Sequence, residues 1–217
     1  MKESSGIHSH MTNVAILELE PRKTPQQSRS VMTVQAIYDA TIQVLLKAGH
    51  ERLTTVRVAE RAGVSVGTLY QYFPNKQSLL FAVLEQHMDR VTSAVEEVCA
   101  ENHFEPLEVM VTELVNRFVD AKLTDRDTSV ALYRIAAEPG GNLIVDRIRL
   151  RYENAMLAMF QTARMSTSVD LKYMTHIIFL TLAGIIRGHL ESSPSPKAVR
   201  QLREHLCKLI LAYCERL

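Results

Sequence analysis

The chain has 217 residues, 47% of them hydrophobic, with 25 Lys and Arg against 24 Asp and Glu. That composition suffices for one compact body or a small domain joined to a larger one; it excludes disorder as the default and names neither nucleic acid nor membrane as a partner by net charge alone. The distribution of charge says more, because residues 21–76 hold eight Lys or Arg against three acids, whereas residues 77–217 hold sixteen against eighteen.

Residues 1–29 show no sustained period and read as a mobile arm, with Met11 as a second candidate start and a basic tip at Arg22, Lys23 and Arg29. From Ser30 to Ala48, Val34, Tyr38, Thr41, Ile42 and Leu45 recur at helical spacing, and Gly49 supplies a left-handed stop. Thr54 and Thr55 offer N-cap hydroxyls to a second helix whose narrow apolar face is Val58, Ala59 and Ala62 and which ends at Gly63. Ser65 caps a third helix, from about Val66 to Phe73, on which Leu69 and Phe73 point the same way; Pro74 breaks it.

The rest of the chain reads as further helices. Leu79, Val83, Leu84 and Met88 begin a long one, Met110, Leu114 and Phe118 mark another, and Tyr152, Met156, Met159 and Phe160 a third, with turns at "NHFEP", "EPGGN", "STS" and "SSPSP". Residues 170–191 are apolar almost all round and read as a buried helix; their longest apolar run, 177–186, has ten residues, against the ~20 that a bilayer requires. The final segment, 197–216, carries Leu202, Leu206, Leu209 and Tyr213 on one side with Cys207, Ile210 and Cys214 beside it. No alternating β pattern occurs, so the fold class is all-α. Cys99, Cys207 and Cys214 lack any C-x-x-C spacing and read as small buried apolar residues of a chain in a reducing cytoplasm, with no metal and no cofactor expected.

The stretch "AGVSVGTLYQYF" (62–73) satisfies the G-x-S-x-G pattern of a hydrolase nucleophile and also that of a helix-turn-helix. A nucleophile elbow needs a buried strand entering the turn. "VRVAERA" carries three charges in seven residues, and the chain offers no other strand from which to build a sheet. The helix-turn-helix reading uses every residue: Ala59 is small where the helices approach, Gly63 takes the left-handed position, Val64 plugs the turn, Ser65 caps and Leu69 anchors. Tyr70, Gln71 and Tyr72 are then left outward with Lys76 following, a surface suited to phosphates and base edges.

The stretch "TTVRVAERAGVSVGTLYQYFPNKQSLL" (54–80) closely resembles the DNA-binding domain of the TetR family of bacterial repressors, and the likeness in sequence covers about residues 30–85. The resemblance implies a three-helix reading domain at 30–76 and, at 77–217, a helical domain that dimerises and binds a small effector. It places Thr55, Ser65, Val66, Thr68, Tyr70, Gln71, Tyr72 and Lys76 at the DNA; many relatives carry lysine where this chain has Val66, which offers only an apolar contact. It further implies a homodimer joined through the last two helices, two recognition helices about 34 Å apart reading a palindromic operator, and an effector cavity near Met110, Phe118, Tyr133, Met156, Met159, Phe160, Met174 and His176, whose thioethers and aromatics suit a hydrophobic ligand. Neither an enzyme nor a membrane partner is expected. A helical protein-interaction adaptor is the alternative for 77–217, distinguished by the lack of salt-sensitive operator binding.

Overall fold

The computed structural model describes residues 28–164 and 169–217, so the basic arm tip at Arg22 and Lys23 lies outside the described residues. Among the described residues there are nine α-helices and no strand: α1 (Ser28–Ala48), α2 (Thr55–Ala62), α3 (Val66–Tyr72), α4 (Lys76–Glu101), α5 (Leu107–Leu123), α6 (Arg126–Ala136), α7 (Gly141–Phe160), α8 (Leu171–Glu191) and α9 (Pro196–Cys214). The chain packs as two compact units. The first takes residues up to Gln86 together with 131–144; the second takes 87–130 and 145–217. The opening turns of α4, which bury Leu79, Leu80 and Val83, belong with the first unit.

In the first unit each helix end has a local cause. Gly49, at φ 78°, closes α1 by donating to the Leu45 carbonyl at 2.9 Å. Thr54 caps α2 by accepting from the Arg57 amide, and Gly63, at φ 69°, ends it. The Gly63 and Val64 amides return to the carbonyls of Glu60 and Ala59, the paired bonds by which a left-handed residue satisfies the last turn of a helix. Asn75 and Ser78 cap α4 reciprocally, the Ser78 amide donating to Asn75 Oδ1 at 2.8 Å and the Asn75 amide facing Ser78 Oγ at 3.3 Å. Ile37, Leu53, Val58, Leu69 and Phe73 form the core of α1–α3, each at most 1% exposed. Burial of side chains of this size contributes about 1.5–3 kcal/mol apiece.

The segment Glu138–Gly141 is a helix-connecting turn tied to the first helices: His50 Nε2 lies 2.8 Å from Glu138 Oε1, and Gln77 Nε2 donates to the Pro139 carbonyl at 3.2 Å. Gly141 is obligatory there, because a Cβ would stand 2.6 Å from the Ala136 carbonyl oxygen.

In the second unit α5 packs against both α8 and α9. Arg203 of α9 donates to the Asn116 carbonyl and to Asp120 on α5, while Arg151 of α7 bridges Asp89 and Glu96 on α4. On the single chain the helix at 170–191 is buried on one face only. Met174, Ile178, Phe179, Leu182 and Ile186 are buried, but Tyr173, Leu180 and Ile185 are 62%, 49% and 40% exposed on the single chain. An all-round apolar helix at the margin of one protomer has core on one side only, so its other face stays open.

Candidate nucleic-acid interface

The short α3 is fixed from both ends and from below. Ser65 Oγ accepts the Thr68 amide at 2.9 Å and shares a second hydrogen bond with Thr68 Oγ1 at 2.8 Å. Leu69 and Phe73 are buried, and the Phe73 ring meets Tyr38 at a centroid distance of 5.7 Å. Helical geometry then turns Gly67, Tyr70 and Gln71 outward, and all three are exposed; Val66, Thr68 and Tyr72 are half-buried beside them. The Tyr72 ring leans on Phe73 at 6.4 Å, so Tyr72 is partly a packing residue.

Thr55 is buried, and its Oγ1 sits 3.0 Å from the Tyr70 hydroxyl. That bond orients an otherwise freely rotating phenol from beneath, leaving its remaining hydrogen-bonding capacity for a partner outside. The resemblance places Thr55 beside Tyr70; in the structure its hydroxyl lies against the Tyr70 phenol as a support. Lys76 Nζ is half-buried and donates to the His50 carbonyl at 2.9 Å, closing the end of α1, with two ammonium protons left over. Two exposed arginines of α2 are anchored in ways that spacing could not foretell: Arg57 donates to the Arg52 carbonyl, and Arg61 to the Gln43 side chain on α1. Ser65 is a helix cap, and the element entering its turn is α2 rather than a strand, so the G-x-S-x-G match carries no nucleophile geometry.

In the second unit Met110, Phe118, Met156, Met159, Phe160 and Met174 are all at most 2% exposed. Tyr133 lies in the first unit. His176 is half-buried and hydrogen-bonds Glu153 at 2.7 Å, an acid that also receives Arg149. Phe118, Tyr152 and Phe179 stack in series at 5.5 and 5.4 Å. Neither Phe179 nor Glu153 was singled out from sequence, because their partners lie on other helices whose register only the fold supplies. Burial pushes the Cys99 thiol up to about 12 and the Cys214 thiol to about 11, which keeps both protonated and unreactive. Among the described residues no group of three or more His, Cys, Asp or Glu is placed to hold a metal ion, and no helix is long and apolar enough to cross a membrane.

A capped helix, a left-handed turn and a second helix pinned by two buried residues with hydroxyls and an amide outward define a helix-turn-helix unit followed by a second helical body. Residues 37–83 match the bacterial regulatory proteins of the tetR family, and residues 106–213 match the tetracyclin repressor-like C-terminal domain. The chain belongs to the TetR family. It is 44% identical over 82 residues to the HTH-type transcriptional repressor KstR of Mycolicibacterium smegmatis, covering 37% of this chain and 38% of that one. To KstR of Rhodococcus jostii it is 33% identical over 102 residues, 46% of this chain and 48% of the relative. The chain therefore spans less than half the length of these relatives. FadR of Bacillus subtilis, solved in complex with stearoyl-CoA, shares the fold with a TM-score of 0.69 at 17% identity, over 82% of this chain and 97% of that structure.

Proposed function

We propose that the protein is a ligand-responsive transcriptional regulator, a repressor that binds a palindromic operator as a homodimer and is released by a small hydrophobic effector. The observation that carries this reading is α3, whose Leu69 and Phe73 are sealed inside while Tyr70 and Gln71 stand exposed, the tyrosine held in place by Thr55. Ser65, Thr68, Tyr70 and Lys76 take phosphates; Gln71 reads an adenine edge; Val66 and Tyr72 supply apolar contact. Residues 30–76 read DNA and residues 77–217 dimerise and bind the effector.

Dimerisation proceeds through α8 and α9. The open face of α8 aligns Tyr173, Leu180 and Ile185 with the exposed Gly184 and Gly188, and α9 adds Leu209, 52% exposed. A second copy covers these faces in a four-helix bundle. The Met-rich and aromatic core of the second unit supports an effector with an apolar tail, in line with the stearoyl-CoA held by FadR. The regulator works in the cytoplasm.

Fluorescence-anisotropy titration of the full chain on the DNA flanking its own gene tests this. Site-specific, salt-sensitive binding that an acyl-chain compound weakens is the expected result; absence of binding returns the second unit to the role of a protein-interaction adaptor.

A further inference from the structure

In the second unit α4 and α5 run in opposite directions with ion pairs at either end of their shared flank. Arg117 reaches Glu97 and Glu101 at one end, and Arg90 lies 3.5 Å from Asp125 at the other. Between them the lining side chains are small. Ala94, Ala121 and Val91 floor a cleft of about 180 Å³ whose mouth is Arg90, Thr124 and Asp125 and whose inner wall is His87.

The mouth is built rather than incidental. Arginine only donates, so the 3.2 Å contact from Arg90 Nη2 makes His87 Nδ1 the acceptor and puts the ring proton on Nε2, which donates to Ser129 Oγ at 2.9 Å. Burial, then the charges of Lys122 and Arg90, hold His87 down at about 4 against the pull of Asp125, and the imidazole is neutral at pH 7 as that arrangement requires. The guanidinium, 57% exposed, is thus tied to the ring through one nitrogen. Among the described residues Nε and Nη1 make no hydrogen bond, and the Asp125 contact is long for a charge-assisted one.

We propose that this cleft binds a short aliphatic carboxylate, its chain lying on Ala94, Ala121 and Val91 and its carboxylate taking Nη1 and Nη2 of Arg90 in place of Asp125. At about 180 Å³ the cleft is sized for a short aliphatic acid. The site is separate from the effector core proposed above, and its occupancy is measured without DNA.

Sodium hexanoate is the probe, titrated into the full chain while methyl resonances are followed by NMR. The expected result is a saturable shift of the Val91, Ala94 and Ala121 methyls, with no response to hexylammonium. Ala94→Leu or Ala121→Leu, each filling the cleft from a partly exposed position, abolishes the shift with the melting temperature retained. Arg90→Gln weakens binding about tenfold or more, the loss of roughly one charge-assisted pair. Asp125→Asn, which removes the competing carboxylate, tightens it. The proposal is overturned if hexanoate produces no saturable shift, if Ala94→Leu and Ala121→Leu leave the shift unchanged, or if the responding methyls are those of Met159 and Met174, which place the ligand in the effector core instead.

Discussion

Tyr70 and Thr55 show how the outer face of α3 is held at the scale of single residues. A hydrogen bond to a charged group contributes about 1.5–3 kcal/mol, so Tyr70→Phe, which keeps the ring and removes the hydroxyl, should lower operator affinity by about 10–100-fold with the melting temperature nearly unchanged. Anisotropy titration beside a thermal melt checks this; unchanged affinity would take the hydroxyl out of the contact set. Helical spacing made legible that Tyr70 and Gln71 share the outer face of α3, opposite Leu69 and Phe73; the full set of eight positions came with the family resemblance. What spacing left out is division of labour: the Thr55 bond joins residues fifteen apart and the Lys76 bond residues twenty-six apart, across helices whose packing the pattern does not encode. His87 gives a second test. Its folded value of about 4 lies below the ordinary 6.5, so the unfolded chain binds the extra proton; the associated stability is full above pH 6.5 and lost as pH falls toward 4. Between pH 7 and pH 5 the wild type should lose about 2 kcal/mol more than His87→Gln in denaturant unfolding. Equal losses would show that His87 stays hydrated.

At the scale of elements, glycines separate backbone need from surface need. A Cβ on Gly141 collides with the Ala136 carbonyl at 2.6 Å, whereas one on Gly67 meets nothing nearer than Ser65 Oγ at 3.7 Å. Gly141→Ala should therefore cost more than about 2 kcal/mol, while Gly67→Ala gains up to ~1 kcal/mol of helix propensity. The same Gly67→Ala should still weaken operator binding, because it adds bulk to an exposed part of α3. Calorimetry and anisotropy on the two variants settle both halves, and a Gly67→Ala protein of undiminished affinity would move the duplex away from that turn. Helix stops were plain in the sequence wherever a left-handed glycine or a capping hydroxyl marks them, as at Gly49, Gly63 and Ser65. The destination of the "EPGGN" turn was not, since its tie to His50 and Gln77 depends on a chain reversal far along the sequence.

For the whole molecule, the all-α class follows from hydrophobic period and punctuation, whereas the division into two units does not. Residues 131–144 join the first unit, and α8 keeps an apolar face open, features that depend on tertiary partners rather than on local pattern. That open face gives the prediction at this scale: Leu180→Glu with Ile185→Glu should yield a monomer in sedimentation velocity with helical content intact, a charged pair being costly to bury in a dimer core. A variant that remains dimeric would assign the twofold to another surface. The most direct test of the central claim, that α3 is a reading head in a symmetric dimer, is a DNase I footprint of the full chain on the DNA flanking its gene. The account predicts two related half-sites whose centres lie about 34 Å apart or a multiple of it, with both lost together in Tyr70→Ala; protection that is absent, or that survives Tyr70→Ala unchanged, would contradict it.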